Sequence, residues 1–140
     1  MSQSEPTSPP NGASLVLTIC ASKKDALGEA EFHDYLTHSH APLVKQVLAR
    51  HGITRYTMTH NTTATKSELA KVMDAQFSQQ LQYDVITQIR FPSMQSFVNF
   101  RNDSFYKEMV MPDHDVFTDA DKTFITVGWV EDHIVDGRAA

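Results

Sequence analysis

Basic residues are scarce. Twelve Lys and Arg stand against seventeen Asp and Glu, for a formal net charge of -5, and Lys23-Lys24 is the only adjacent basic pair. That balance argues against a nucleic-acid groove and against an anionic membrane surface, and favours a small molecule or another protein as partner. Cysteine is scarcer still. Cys20 alone, inside an apolar run, excludes a disulfide framework and a thiolate metal site, permits a reducing compartment, and reads as a small buried hydrophobe. Five glycines form neither GxGxxG nor GxxxxGK, so dinucleotide and P-loop fingerprints are absent. No apolar run reaches the length of a membrane span. Residues 1–13, rich in Ser and Pro, lack the basic and apolar regions of a signal peptide and are expected to be a disordered lead-in, with the protein cytoplasmic by default.

What is present is a globular composition, 41% hydrophobic and 21% charged over 140 residues. This suits one domain, expected at 14–137, followed by a short tail at 138–140. Ser14 to Ala21 is a β-branched apolar run of strand length. Acidic residues at Glu29 and Glu31 and the His51-Gly52 pair bracket a long helix, expected from Glu29 to Arg50. Ile53 to Asn61 alternates as a strand whose wet or pocket-facing side holds either Arg55 or the Tyr56, Met58, His60 set. Thr65-Lys66-Ser67-Glu68 has the spacing of a capping box before a short helix over 67–77. Asp84 to Phe91 is a third strand, and Ser93 caps a helical stretch that Pro112 is expected to end. Residues 113–121 then read as a polar loop, and Thr123 to Val135 as the fourth and longest strand.

That order gives an α+β protein of the ferredoxin-like βαββαβ pattern, a four-stranded antiparallel sheet with helices on one face. Val16 alternates with Leu15 and Leu17, and Phe124 with Ile125, so strands one and four are apolar on both sides. The uncovered sheet face is therefore expected to be greasy and buried against a second copy, as a homodimer.

The long helix carries three histidines. Phe32, Leu36, Leu43, Val44, Val47 and Leu48 recur at helical spacing, and His40 falls on that buried stripe with His33 one heptad earlier. Pro42 has no N–H for the carbonyl of His38 and crowds it, so the helix is expected to kink or tighten near His40.

Phe32-His33-Asp34-Tyr35 followed by His38-Ser39-His40-Ala41-Pro42-Leu43 resembles the segment with Phe, Tyr and His-Ala-Pro-Leu of the EthD family of dimeric α+β barrel proteins. Pro112 to Asp119, with Val127-Gly128-Trp129-Val130 and Val135-Asp136-Gly137, is similar to the ending of fungal EthD-domain proteins of aromatic polyketide pathways. The resemblance spans about Leu15 to Gly137. It implies a dimeric α+β barrel and a decarboxylase of anthraquinone-type precursors such as atrochrysone carboxylic acid. Cyclase-dehydratase, cofactor-free anthrone oxygenase and non-catalytic carrier remain the competing readings, since fold does not choose chemistry.

Loss of carbon dioxide from a β-keto or hydroxyaryl acid needs a seat for the carboxylate, a sink for the developing enolate and an acid to protonate carbon. Histidine suits the last task. His40 is the first candidate, on periodicity, Pro42 and the resemblance together; His114 is the second, with His33 or His38 as partner and Asp115 or Asp119 as a brace for His114. Tyr56, Tyr83 and Tyr106 are candidates to meet a phenolic or keto oxygen, and Arg55 or Arg90 a carboxylate. Tyr35 and Phe97 are expected in the pocket wall, and His51, His60 and His133 in structural roles. A metal is rejected, because neither His33 with His38 nor His38 with His40 has the i, i+4 spacing of a helical zinc site and no H-E-x-x-H occurs. The expected mechanism is cofactor-free.

Overall fold

The computed structural model describes residues 9–73 and 80–140. β1 (Leu15–Ala21) runs through the middle of a sheet ordered β2-β3-β1-β4, with β2 at Arg55–His60, β3 at Val85–Phe91 and β4 at Phe124–Trp129. All three pairings are antiparallel. With the helices on one face, this is the ferredoxin-like α+β fold. β4 stops at Trp129, so it is no longer than its neighbours. Beyond it, β5 (Ile134–Val135) pairs with β6 (Arg138–Ala139). The expected tail after Gly137 is thus half of a small hairpin. Asp136 and Gly137 both have positive φ, 52° and 79°, as a two-residue turn of that twist demands.

The first helical run is interrupted. α1 (Glu29–Tyr35) passes into a π-helical turn at Leu36–His40 and then into α2 (Ala41–Arg50). The backbone N–H of Ala41 reaches the carbonyl of Leu36, five residues back. The helix therefore widens at His40 where a kink or tightening was expected; an extra residue in the turn gives the Pro42 ring room beside the preceding carbonyls. Gly52, with φ 75°, ends the run in the left-handed conformation that glycine tolerates.

α3 (Thr63–Val72) begins earlier than expected, because Thr62 and not Thr65 is its cap: the Thr65 N–H donates to Thr62 Oγ1 at 3.2 Å and the Thr62 N–H to Thr65 Oγ1 at 2.9 Å. The rest of the expected helix, from residue 74, lies outside the described residues. After α4 (Met94–Arg101), capped by Ser93, a second π-helical turn at Tyr106–Val110 leads into α5 (Met111–Phe117). It is closed by the same kind of bond, Met111 N–H to the Tyr106 carbonyl. Pro112 stands two residues beyond this turn, as Pro42 stands beyond the first. It stands inside a helical run that continues to Phe117 where an end and a polar loop were expected, and the wider π turn before it makes room for the ring.

Leu17, Val47, Leu48, Phe91, Phe100 and Val110 form one buried cluster between helices and sheet, and Ala21, Phe32, Leu36, Val85 and Phe117 a second beside it. Each large apolar side chain contributes about 1.5–3 kcal/mol by leaving water. The far face of the sheet differs from expectation. Thr57, Gln88, Thr18 and Thr126 oppose one another in a polar row across all four strands, flanked by Arg55 and Arg90. Apolar residues occur there only towards the ends, at Val16 and at Cys20, Ile86 and Phe124. By register the exposed Ile125, Val127 and Trp129 of β4 share the helix-side face with Ile19, Leu17 and Leu15. Among the described residues no helix is long and apolar enough to cross a membrane.

Candidate active site

His40 closes the first π turn and is only 4% exposed. Its Nδ1 lies 2.7 Å from Asp113 Oδ2, while Asp113 Oδ1 accepts the Tyr35 hydroxyl at 2.5 Å. Tyr35, Asp113 and His40 thereby link the end of α1, the π turn and α5. With the carboxylate accepting at Nδ1, the proton of the neutral imidazole stays there and Nε2 keeps its lone pair. Burial holds His40 below the ordinary histidine range despite the opposing pull of Asp113. The Tyr35 phenol is pushed up to about 12, chiefly by its bond to Asp113, so it remains a donor.

The His114 ring lies 4.8 Å from that of His40, and Phe117 packs against both, at 4.7 and 6.1 Å between centroids. Burial first, and the neighbouring His40 second, bring His114 down to about 4. At neutral pH both imidazoles are uncharged.

These rings line a cavity of about 470 Å³ between the helices and the sheet, a size suited to a small organic ligand. Leu17, Ile89 and Tyr56 contribute from the sheet, and Phe97, Phe100 and Tyr106 from the helical side. Burial raises the Tyr56 phenol above its ordinary value. Ile125 of β4, 70% exposed, marks a side on which the cavity stays open among the described residues. Arg101 also lines it, with Nη1 donating to Tyr106 Oη at 2.7 Å. Such a chamber supplies a buried base in apolar surroundings, which fits removal and return of a proton on an aromatic or enolisable substrate.

Of the residues singled out from sequence, His40, His114, Tyr56, Phe97 and Tyr106 line the cavity, and Tyr35 joins through Asp113. His33 does not. Its Nδ1 meets His60 Nδ1 at 2.7 Å, and its buried Nε2 has no partner among the described residues. His38 is exposed beside Asp34. Arg55 and Arg90 oppose each other on the far face, where Asp132 holds the Arg90 guanidinium by two bonds of 3.1 and 2.7 Å. Tyr83 sits edge-on to Phe124, 6.2 Å away. Asp119 caps the 3₁₀ turn Ala120–Lys122, accepting the Asp121 N–H, and Asp115 is exposed. Neither carboxylate braces His114; the bracing pair is Asp113 with His40.

Sequence reasoning missed Asp113 and Arg101. Asp113 was obscured by reading Pro112 as a helix end; with the helix carried through Pro112, Asp113 and Phe117 stand one turn apart on one side. No comparable signal marked Arg101. Among the described residues no group of three His, Cys, Asp or Glu is placed to hold a metal ion.

Comparison with known proteins agrees with this architecture. "Dehydratase aurZ" of Gibberella zeae is 42% identical over 89% of this chain and 82% of its own. A protein of Claviceps purpurea named "Decarboxylase" is 32% identical over 94% of each chain. The crystal structure of an EthD family protein from Bacillus halodurans covers 82% of this chain and 96% of its own, with a TM-score of 0.58 at 12% identity. Residues 24–121 match the EthD domain, from the segment before α1 to the 3₁₀ turn before β4, and the chain belongs to the EthD domain family.

Proposed function

We propose that the protein is a cofactor-independent lyase of fungal aromatic polyketide biosynthesis, and that its reaction is the aromatising dehydration of a polycyclic β-hydroxy ketone. The observation that carries this reading is the neutral His40 held by Asp113 in the cavity wall. Nε2 takes the proton from the carbon next to the carbonyl, giving an enolate. The same nitrogen, now protonated, hands that proton to the departing hydroxyl; the C–O bond breaks, water leaves and the new C=C bond completes the ring. A site with two uncharged imidazoles is better suited to begin with a base than with an acid. The 42% identity to a protein named as a dehydratase points the same way.

Decarboxylation is the second reading, favoured by the Claviceps relative's name and by Arg101 in the wall. His40 would then take the carboxyl proton and return it to carbon as carbon dioxide departs. Purified protein incubated with a polycyclic β-hydroxy ketone acid, under nitrogen and without added metal, separates the two by mass, as loss of water or loss of carbon dioxide. Failure of His40→Gln to abolish the product overturns both. Binding without turnover would restore the carrier reading.

We also place the working unit as a cytoplasmic homodimer. Ile125, Val127 and Trp129 on β4, and Ile134 and Val135 on the terminal hairpin, are exposed apolar groups that a second copy would cover. A sedimentation mass of one chain at micromolar concentration would overturn it.

A further inference from the structure

Arg101 is out of keeping with the rest of the cavity wall, which is aromatic and aliphatic apart from the uncharged histidines and hydroxyl side chains. Among the described residues it is the one that lines the cavity with a permanent charge. Arg101 is exposed at the rim of the cavity, and one residue holds it: Nη1 donates to Tyr106 Oη at 2.7 Å, and the guanidinium carbon lies 5.3 Å from the centre of the Tyr106 ring. Tyr106 is itself buried on the π turn and packs at 4.4 Å against Phe100. A guanidinium carries five N–H donors and Tyr106 takes one.

Arg50 has Asp103 and Arg90 has Asp132, while Arg55 lies on the far face of the sheet, away from the cavity. Among the described residues none lies within ion-pair distance of Arg101, and Asp103, nearby in sequence, is engaged by Arg50 and His51. A planar cation with donors to spare, braced at the edge of an apolar chamber, matches a planar oxyanion on an aromatic body.

We infer that Arg101, steadied by Tyr106, is the anchor for an acidic oxygen group of the substrate, a carboxylate or an ionised enol or phenol, and sets which ring faces His40. This rests on the reading of the cavity as an aromatic-substrate site but not on the reaction assigned to it. An acid seated at Arg101 is carried through a dehydration unchanged, and it is the departing group only if the same carboxyl reaches His40.

The test is binding, read from ligand fluorescence or absorbance, with two matched pairs of probes: anthracene carboxylate with its carboxamide, and hydroxynaphthoquinone, ionised at neutral pH, with its methyl ether. Wild-type protein is expected to prefer the anion of at least one pair by about tenfold or more. Arg101→Gln is expected to erase that preference, with Arg101→Lys in between, because lysine keeps the charge and loses the fork. Arg55→Gln, which removes an equal charge from the far face of the sheet, keeps the preference. The pair that discriminates tells carboxylate from enolate. No preference in the wild type for either pair, no binding of any probe, or a preference that survives Arg101→Gln each overturns the inference. Wild-type selectivity is measured without any variant, so a poorly folded Arg101→Gln does not shield it. Anion preference without turnover would support the anchor while sinking the proposed lyase.

Discussion

Asp113 sits 73 residues after His40 in the chain and 2.7 Å from it in space, and the same carboxylate holds Tyr35 with its other oxygen. One group therefore decides both the tautomer of His40 and the attachment of α5 to the first helical run. Asp113→Asn keeps the shape but presents only one oxygen acceptor to two donors. One buried donor is stranded, at a cost of about 1–3 kcal/mol, and the Nδ1 proton loses its charged partner. Steady-state kinetics with thermal unfolding will show both a lower Tm and a lower kcat. His40→Gln will lower kcat by about 100-fold or more, with far-ultraviolet circular dichroism retained.

Tyr35→Phe separates positioning from chemistry. Removing the hydroxyl leaves Asp113 a single strong donor, His40, so the carboxylate favours the imidazolium more than before. The acid limb of the kcat/KM profile will move to higher pH in this variant, with only a modest fall in the plateau rate. A Tyr35→Phe protein with an unmoved profile would mean that Tyr35 merely packs against Phe117, its neighbour at 5.3 Å.

The sheet and the histidine stripe could be read from residues because they repeat locally: apolar alternation marked β1, and the spacing from Leu36 through Val47 turned His40 inward. The Asp113–His40 pair could not, because it depends on how two distant helical segments meet. Both segments carry a proline that sequence rules treat as a breaker, and in both the chain answers by widening before it. The alternation of β2 allowed either Arg55 or Tyr56 to face the site. Register with β3 settles it, since Tyr56 opposes the buried Ile89 and Arg55 opposes Arg90 on the far side. The same counting placed the greasy second face wrongly, because Ile125 and Val127 are apolar towards the helices and Thr126 is polar away from them.

His33 and His60 form a hydrogen-bonded pair off the cavity, so their loss should be felt in stability. His60→Ala leaves His33 Nδ1 without its partner, beside an Nε2 that already has none among the described residues. Denaturant unfolding will show a loss of about 1–3 kcal/mol. Turnover measured below the new midpoint will stay close to wild type. A selective collapse of kcat with unchanged stability would return His33 to the chemistry.

Acid will weaken the fold and silence the site through the same two rings. His40 and His114 both have pKa values lowered in the folded state, His114 to about 4 from an unfolded value near 6.5. Between those values the unfolded chain binds more protons than the folded one, so stability rises with pH and is lost as pH falls from about 6.5 towards 4. For His114 alone the loss is on the order of 3 kcal/mol. Asp113 and the exposed Asp115 pull the other way, and the sign is set by burial, which outweighs them. His40 loses its lone pair only below the ordinary histidine range, so the acid limb of kcat/KM should lie at lower pH than an ordinary histidine would place it. Thermal unfolding midpoints and kcat/KM across pH 4 to 8 will test both. His114→Phe removes the titrating ring while filling its space, and is expected to flatten the stability curve between pH 4 and 6.5 relative to wild type. A wild-type protein whose stability rises on acidification through this window would mean that the imidazoles gain protons on folding, and that the base assigned to His40 is already charged at neutral pH.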